Sequence, residues 1–131
     1  MRKRREKKMK ADFRDLIEDF RTADYLTDIT QSVDIRNIPA LVSKAGGKAL
    51  LFHDVDGYDM PVVSGLTNSR ESLAIGFRCD YAEIEGKLAH ASENPIPPQI
   101  VDSGPVRETI AIGDDVDLCR LPVPLFATLD G

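Results

Sequence analysis

The sequence predicts a small α/β domain with a mixed sheet of three to five strands and three to four helices. Apolar residues recur at helical spacing in several segments, and short apolar runs lie between these segments. An Asp-Gly turn at residues 56–57 separates two of the short runs, which favours an antiparallel pair. Because helices and strands also alternate, we expect a mixed sheet rather than a purely doubly wound one.

Length and composition indicate one globular domain. A chain of 131 residues buries one modest core, and 42% hydrophobic with 30% charged residues is typical of globular proteins. No apolar run approaches the roughly 20 residues of a membrane-spanning helix, and no segment has the pattern of a secretory signal. We therefore expect no membrane span and a cytoplasmic location.

The charge is unevenly distributed. Residues 1–10 carry seven Lys or Arg and one Glu, a local charge of +6. Because the whole chain has a net charge of −5, the other 121 residues carry −11. The acidic body argues against nucleic-acid binding. The basic leader can contact phosphates non-specifically, but a charge run at a terminus is more often a solvated tail, so we expect residues 1–10 to be disordered.

The first helix is expected to begin after Asp12, a favourable N-cap. Apolar residues follow at positions i, i+3, i+4 and i+7: Phe13, Leu16, Ile17 and Phe20. This stripe is typical of a helix packed on a sheet, so we interpret it as core rather than as a cofactor site. Residues 25–30 are rich in β-branched and aromatic side chains and predict a short strand.

A second helix is predicted from the apolar residues Ile38, Leu41 and Val42. Because proline is tolerated only in the first helical turn, Pro39 places the helix start near Asn37. The helix is expected to end at Gly46-Gly47, since glycine readily adopts a left-handed cap conformation. These glycines do not form a G-x-G-x-x-G motif, which favours a helix stop over a phosphate cradle.

Ala49–Phe52 and residues 61–64 predict two antiparallel strands. The carboxylates in and beside their connection resemble a metal cluster: Asp54, Asp56 and Asp59. Their spacing lacks the later Gly and the bidentate Glu of a calcium loop, so we interpret them as solvated turn residues.

Two further helices follow. Asn68 or Ser69 is expected to cap a helix over Arg70–Phe77, and Asp80 is expected to cap another over residues 81–93. In the last helix, three apolar residues are predicted to face inward: Ile84, Leu88 and Ala91.

The last third of the chain is rich in proline, with six of the eight prolines at positions 95, 97, 98, 105, 122 and 124. Proline fixes φ and removes a backbone donor, so these segments are stiff extended connectors. Between them, alternation predicts a strand over residues 106–112 with four residues on one face: Val106, Glu108, Ile110 and Ile112. On physical grounds the region is either a proline-rich surface loop or a spacer between two compact units.

The cysteines and histidines are isolated in sequence. Cys79 and Cys119 lie 40 residues apart, and neither His53 nor His90 belongs to a metal-binding spacing. We interpret all four as structural residues.

Three ordered motifs in the tail carry a family resemblance: PIPP at residues 95–98, Gly104-Pro105, and D-x-D-L-x-x-L-P-x-P at residues 115–124. Together they resemble the segment of the UbiD-type, prenylated-FMN-dependent decarboxylases in which the N-terminal domain passes into the flavin-binding domain. KAGGKALLFHDVDGYDMPVV at residues 44–63 and the helix pattern at residues 11–23 are also similar to the opening region of that family. The resemblance covers nearly the whole chain from Ala11.

The resemblance implies reversible, non-oxidative decarboxylation of an aromatic or α,β-unsaturated carboxylic acid. It also implies prenylated FMN, a divalent metal (Mn or Mg) and K in the complete enzyme, and a flavin prenyltransferase that supplies the cofactor. The family's catalytic, flavin and metal residues lie beyond the matched segment. We therefore assign no catalytic, cofactor-binding or metal residue here, and these acidic residues are interpreted as solvent-facing: Glu83, Glu85, Glu93 and Glu108.

The expected organisation is a leader at residues 1–10, an α/β N-terminal domain at 11–93, and a connector at 94–131. The connector leads toward a flavin-binding split-barrel domain that is absent here. The missing domains would be partners in cis or in a separate subunit, and an oligomer is expected. On this hypothesis the chain alone binds no cofactor and is inactive. The alternative is a free-standing α/β binding or interaction module.

Overall fold

The computed structural model describes residues 12–98, 100–104 and 107–127. The predicted leader at residues 1–10 and Val106 lie outside these ranges. Within them, four α-helices and three strands are formed, in this order: α1 (Phe13–Thr22), β1 (Leu26–Ile29), α2 (Ile38–Ser43), β2 (Ala49–Phe52), β3 (Val62–Ser64), α3 (Arg70–Phe77) and α4 (Ile84–Glu93).

The strands form one mixed sheet in the order β1-β2-β3. β1 is parallel to β2, with Leu26 opposite Ala49, and β3 is antiparallel to β2, with Val62 opposite Phe52. α2 lies in the connection between the two parallel strands, as such a crossover requires. The predicted mixed α/β architecture is confirmed.

Alternate residues of β2 point to opposite faces of the sheet, and each face carries its own core. On one face, Leu50 and Phe52 pack with Ile38 and Val42 of α2. On the other, Ala49 packs with residues of β1, α1 and α3 that include Leu26, Phe20 and Ile75. The sheet therefore lies between two helical layers.

The predicted caps are present. Asp12 accepts a hydrogen bond from the Arg14 amide at 3.1 Å and begins α1. At α3 it is Ser69 rather than Asn68 that accepts the cap bond, from the Ser72 amide at 3.0 Å. Ser72 is itself fully buried, and its hydroxyl donates to the Gly47 carbonyl at 3.0 Å, which ties the start of α3 to the segment before β2.

The predicted glycine cap of α2 is wrong: the helix ends at Ser43 with Lys44 as a right-handed C-cap, because the Lys44 and Ala45 amides bond to the Leu41 and Val42 carbonyls three residues back. Gly46 and Gly47 lie in the turn that follows, with φ values of 62° and 87°. Pro39 lies in the first turn of α2, preceded by a 3-10 turn over Ile35–Asn37. Pro39 therefore marks the start of the short crossover helix, as predicted.

The predicted inward face of α4 is wrong. Ile84 is half-buried, Leu88 is 50% exposed and Ala91 is exposed. The helix region also begins with a 3-10 turn over Tyr81–Glu83, and this turn, rather than the sheet, forms the main contact of α4. An amphipathic pattern indicates which face is apolar, but whether that face is covered depends on a neighbouring element.

The predicted strand at residues 106–112 is also wrong for the residues that the structure describes. Residues 107–112 are not in a strand, Ile110 and Ile112 are 64% and 76% exposed, and 3-10 turns follow at Gly113–Asp115 and Leu118–Arg120. Alternation produces a strand only where another strand pairs with its backbone groups, and here the segment pairs with none. Within the described residues, no helix is both long and apolar enough to cross a membrane.

Candidate functional site

An apolar groove of about 490 Å³ lies between α3 and α4. Its walls come from α3, the 3-10 turn and α4: Leu73, Phe77, Tyr81, Ala82, Ile84, Glu85 and Leu88. Tyr81 is 46% exposed and Leu88 is 50% exposed. The groove therefore presents large apolar side chains to the outside of the domain, which is typical of an interaction surface.

Two contacts join the walls of this groove. The Lys87 ammonium of α4 donates to the carbonyl oxygen of Phe77 at the end of α3. The Arg70 guanidinium carbon of α3 lies 5.2 Å from the centre of the Tyr81 ring, a cation–π distance. The groove is therefore a preformed feature of the domain.

A second cleft, of about 400 Å³, lies where the tail meets the β2–β3 connection. Residues 57–60 line one side, and tail residues between 109 and 121 line the other. Three carboxylates border it, from Asp59, Asp115 and Asp117, together with one cation, Arg120. The tail thus lies beside the domain at this turn.

Neither cleft fits prenylated FMN. A flavin phosphate requires cationic side chains or converging backbone amides, whereas Glu85 is the single charged residue lining the groove and carboxylates dominate the second cleft. Within the ranges that the structure describes, no three His, Cys, Asp or Glu residues are placed to hold a metal ion. These two clefts are therefore unsuited to the flavin phosphate.

The acidic residues considered from the sequence lie on the surface. Asp54, Asp56 and Asp59 are exposed and not grouped around a metal position, and the four glutamates Glu83, Glu85, Glu93 and Glu108 are exposed as well. Glu83 has a local role, because its carboxylate accepts from the Asp80 amide at 3.1 Å at the start of the last helix.

The cysteines and His90 also remain apart. Cys79 is a partly buried free thiol and Cys119 an exposed one. His90 lies near the end of α4, and the side-chain nitrogen Nδ2 of Asn94 is 3.2 Å from its Nδ1.

One polar cluster was not predicted from the sequence. Asp28 of β1 lies 2.7 Å from His53 Nε2 and 2.9 Å from Arg21 Nη2, so one carboxylate oxygen joins α1 to the ends of β1 and β2. The hydrogen bond from His53 lowers the pKa of Asp28, with a further contribution from Arg21. The parallel register that places His53 beside β1 is a non-local property, so sequence patterns gave no signal for it.

This cluster predicts an acid-dependent contribution to stability. Because the folded-state pKa of Asp28 is lowered, its stabilisation is present above the unfolded pKa near 3.9 and is lost as pH falls through the folded pKa. All three side chains are more than a third exposed, so we expect Asp28→Asn to lower the unfolding free energy by at most about 1 kcal/mol at pH 7.

Urea unfolding at pH 7 and at pH 3 would measure this difference. The gap between wild type and Asp28→Asn should shrink at the lower pH, while Asp54→Asn, at an exposed position, should change little at either pH. An equal gap at both pH values would contradict the role given to the Asp28 carboxylate.

Comparisons with known proteins identify this fold. The family model of the 3-octaprenyl-4-hydroxybenzoate carboxy-lyase N-terminal domain matches residues 17–91. The UbiD-class enzyme HmfF from Pelotomaculum thermopropionicum, solved in complex with FMN, is 37% identical over 86% of this chain and 26% of its own, with a TM-score of 0.76. An evolved dimeric form of HmfF in complex with prFMN, also 37% identical, matches 86% of this chain and 27% of its own with the same TM-score.

The vanillic acid decarboxylase of Sedimentibacter hydroxybenzoicus, solved in an open form with truncated ShVdcD, shares the fold at 21% identity. That match covers 87% of this chain and 27% of the other, with a TM-score of 0.71. The chain thus spans about a quarter of the length of these solved chains. The match over residues 17–91 shows that the chain belongs to the UbiD family and contains its N-terminal domain.

Proposed function

We propose that this chain is the N-terminal domain or small subunit of a UbiD-like carboxy-lyase. The complete enzyme would catalyse reversible, non-oxidative decarboxylation of an aromatic or α,β-unsaturated carboxylic acid. The observation that carries the proposal is the family match over residues 17–91, supported by 37% identity to HmfF over 86% of the chain. We also propose that the protein is located in the cytoplasm.

Prenylated FMN, when bound, would supply the chemistry that weakens the bond to the departing CO₂. Because neither the groove between α3 and α4 nor the second cleft fits this cofactor, we assign its binding, together with the divalent metal (Mn or Mg) and K, to flavin-binding and C-terminal regions in cis or in a separate subunit. A flavin prenyltransferase would provide the modified flavin. The chain alone would then be inactive.

The proposed contribution of this chain is structural. In this proposal, residues 11–93 form the N-terminal domain, and residues 94–131 connect it to the flavin-binding region. Several apolar side chains of the connector are exposed: Ile110, Ile112, Leu118, Val123 and Phe126. Burial of such a side chain contributes roughly 1.5–3 kcal/mol, so contact with a neighbouring region or subunit would stabilise the connector.

The exposed groove between α3 and α4 would also suit the alternative, a free-standing interaction module without catalysis. An activity measurement separates the two functions. Full-length HmfF is made with its matched N-terminal segment replaced by this chain, in cells that contain a flavin prenyltransferase, beside unmodified HmfF and the 131-residue chain alone.

We expect the chimera to release CO₂ from the acid that unmodified HmfF decarboxylates, and the chain alone to release none. The physical reason is that the chimera combines the N-terminal fold with the regions proposed to bind flavin. A folded, flavin-loaded chimera without turnover would favour the interaction module. Turnover by the isolated chain would contradict the proposal that catalysis requires the flavin-binding and C-terminal regions.

A further inference from the structure

The corner between α3 and α4 has an unusual backbone conformation at a residue that is not glycine. Arg78 follows α3 with φ 53° and ψ 43°, in the left-handed region that glycine usually occupies because it has no Cβ. The Nε of Arg78 donates to Oδ2 of Asp19 in α1 at 2.8 Å, across 59 residues of sequence. The Cys79 amide also donates to the Ala74 carbonyl of α3 at 3.2 Å. The corner is therefore fixed both to α1 and to the end of α3.

Beyond this corner, the segment at residues 81–93, which we call the strap, is held less firmly. The strap consists of the 3-10 turn and α4, and neither contains a buried residue. Ile84 is half-buried, and every other residue of the strap is exposed. In contrast, α1, α2 and α3 each bury at least one side chain. Hydrophobic burial therefore contributes little to holding the strap in place.

Two cationic contacts connect the strap to α3. The Lys87 ammonium donates to the Phe77 carbonyl, and the Arg70 guanidinium lies over the Tyr81 ring at 5.2 Å. Lys87 and Arg70 are both exposed, and contacts of charged groups in water are weak. The contacts that close the strap on α3 can therefore be broken at small cost.

The strap itself is connected from end to end. The Glu83 carboxylate accepts from the Asp80 amide at 3.1 Å in a capping box, which couples the 3-10 turn to the start of the strap. At the other end, the Asn94 amide donates to the His90 carbonyl at 3.0 Å. Pro95 follows directly and fixes its own φ, so the first residues of the connector follow any movement of the strap.

We infer that the strap is a movable arm that opens as one unit about residues 78–80 while the sheet, α1, α2 and α3 stay folded. Opening breaks the two cationic contacts and uncovers only groove residues that are already half-buried or exposed. Opening of α1 would instead uncover Phe20, which is fully buried. The closed arm fixes the direction in which the connector leaves the domain, and the open arm releases it.

Amide hydrogen exchange of the 131-residue chain, resolved residue by residue, tests the movable arm. We expect the protection factors of residues 88–93 to be similar to one another and at least about tenfold lower than those of Ala49 and His53, whose amides bond across the sheet. The Cys79 amide lies on the fixed side of the corner and should be more protected than residues 88–93.

Lys87→Met tests the cationic contact with Phe77, and Lys44→Met is its matched control. Both substitutions remove one exposed lysine charge and keep an unbranched side chain, but Lys44 is the C-cap of α2. Lys87→Met should lower the protection of residues 88–93 about fivefold, as the loss of one hydrogen bond would produce. Protection of His53 should not change, and Lys44→Met should leave the strap unaffected.

Three results would overturn the movable arm. Protection of residues 88–93 equal to that of Ala49 would mean that the strap opens only when the whole domain unfolds. A steady decrease in protection from residue 88 to residue 93 would indicate ordinary fraying of a helix end. Equal effects of Lys87→Met and Lys44→Met on the strap would contradict the role given to Lys87.

Discussion

Phe52→Ala is expected to destabilise the domain by about 3–5 kcal/mol. Phe52 is fully buried at the end of β2, where it packs in one core with Ile38, Val42 and Val62. Removal of the ring loses the transfer free energy and leaves a cavity between the sheet and α2. Since small domains have unfolding free energies of roughly 5–15 kcal/mol, this single change would remove much of the total.

Phe13→Ala is the matched control for this prediction. Phe13 is 55% exposed at the start of α1, so the same chemical change should cost about 0.5 kcal/mol or less. Urea unfolding followed by circular dichroism would measure both variants. A loss below about 1 kcal/mol for Phe52→Ala would contradict the core between the sheet and α2, because removal of a fully buried ring should cost much more.

The parts of the fold that depend on nearby residues were predictable. Asp12 and Ser69 cap their helices through hydrogen bonds that span two or three residues, and Pro39 positions α2 through its own ring. The turn at Asp56-Gly57 likewise predicted the antiparallel pairing of β2 and β3, which the structure confirms. Each of these signals is local in sequence, so the physical rule applies without knowledge of the tertiary structure.

The wrong predictions share a non-local cause. The apolar pattern of α4 is real, but no described element covers Leu88. The alternation around Ile110 is equally real, but the segment has no strand partner in the ranges that the structure describes. The cluster of Asp28, His53 and Arg21 depends on a register between distant residues. In each case the residue pattern defines a surface, and the tertiary context decides what that surface contacts.

For the same reason, the sequence predicted some of the apolar residues of the groove but not their exposure. Ile84 and Leu88 were recognised as apolar positions together with Ala91, but all three were expected to face inward. Tyr81 was not singled out as a member of the set. Lys87 and Arg70, which join the groove walls, gave no sequence signal because their partners lie across the helix pair. The missing information is how α3, the 3-10 turn and α4 lie against one another.

The isolated chain is expected to bind neither FMN nor prenylated FMN with a dissociation constant below about 10 μM, which corresponds to about −7 kcal/mol. The reason is that Glu85 is the single charged residue lining the groove between α3 and α4, and that three carboxylates surround the one cation, Arg120, in the second cleft. Flavin fluorescence titration of the 131-residue chain, with unmodified HmfF as the positive control, measures this directly. Weak or undetectable binding by the chain agrees with a flavin site in the remaining regions of the carboxy-lyase, whereas stoichiometric binding below about 10 μM would contradict that account.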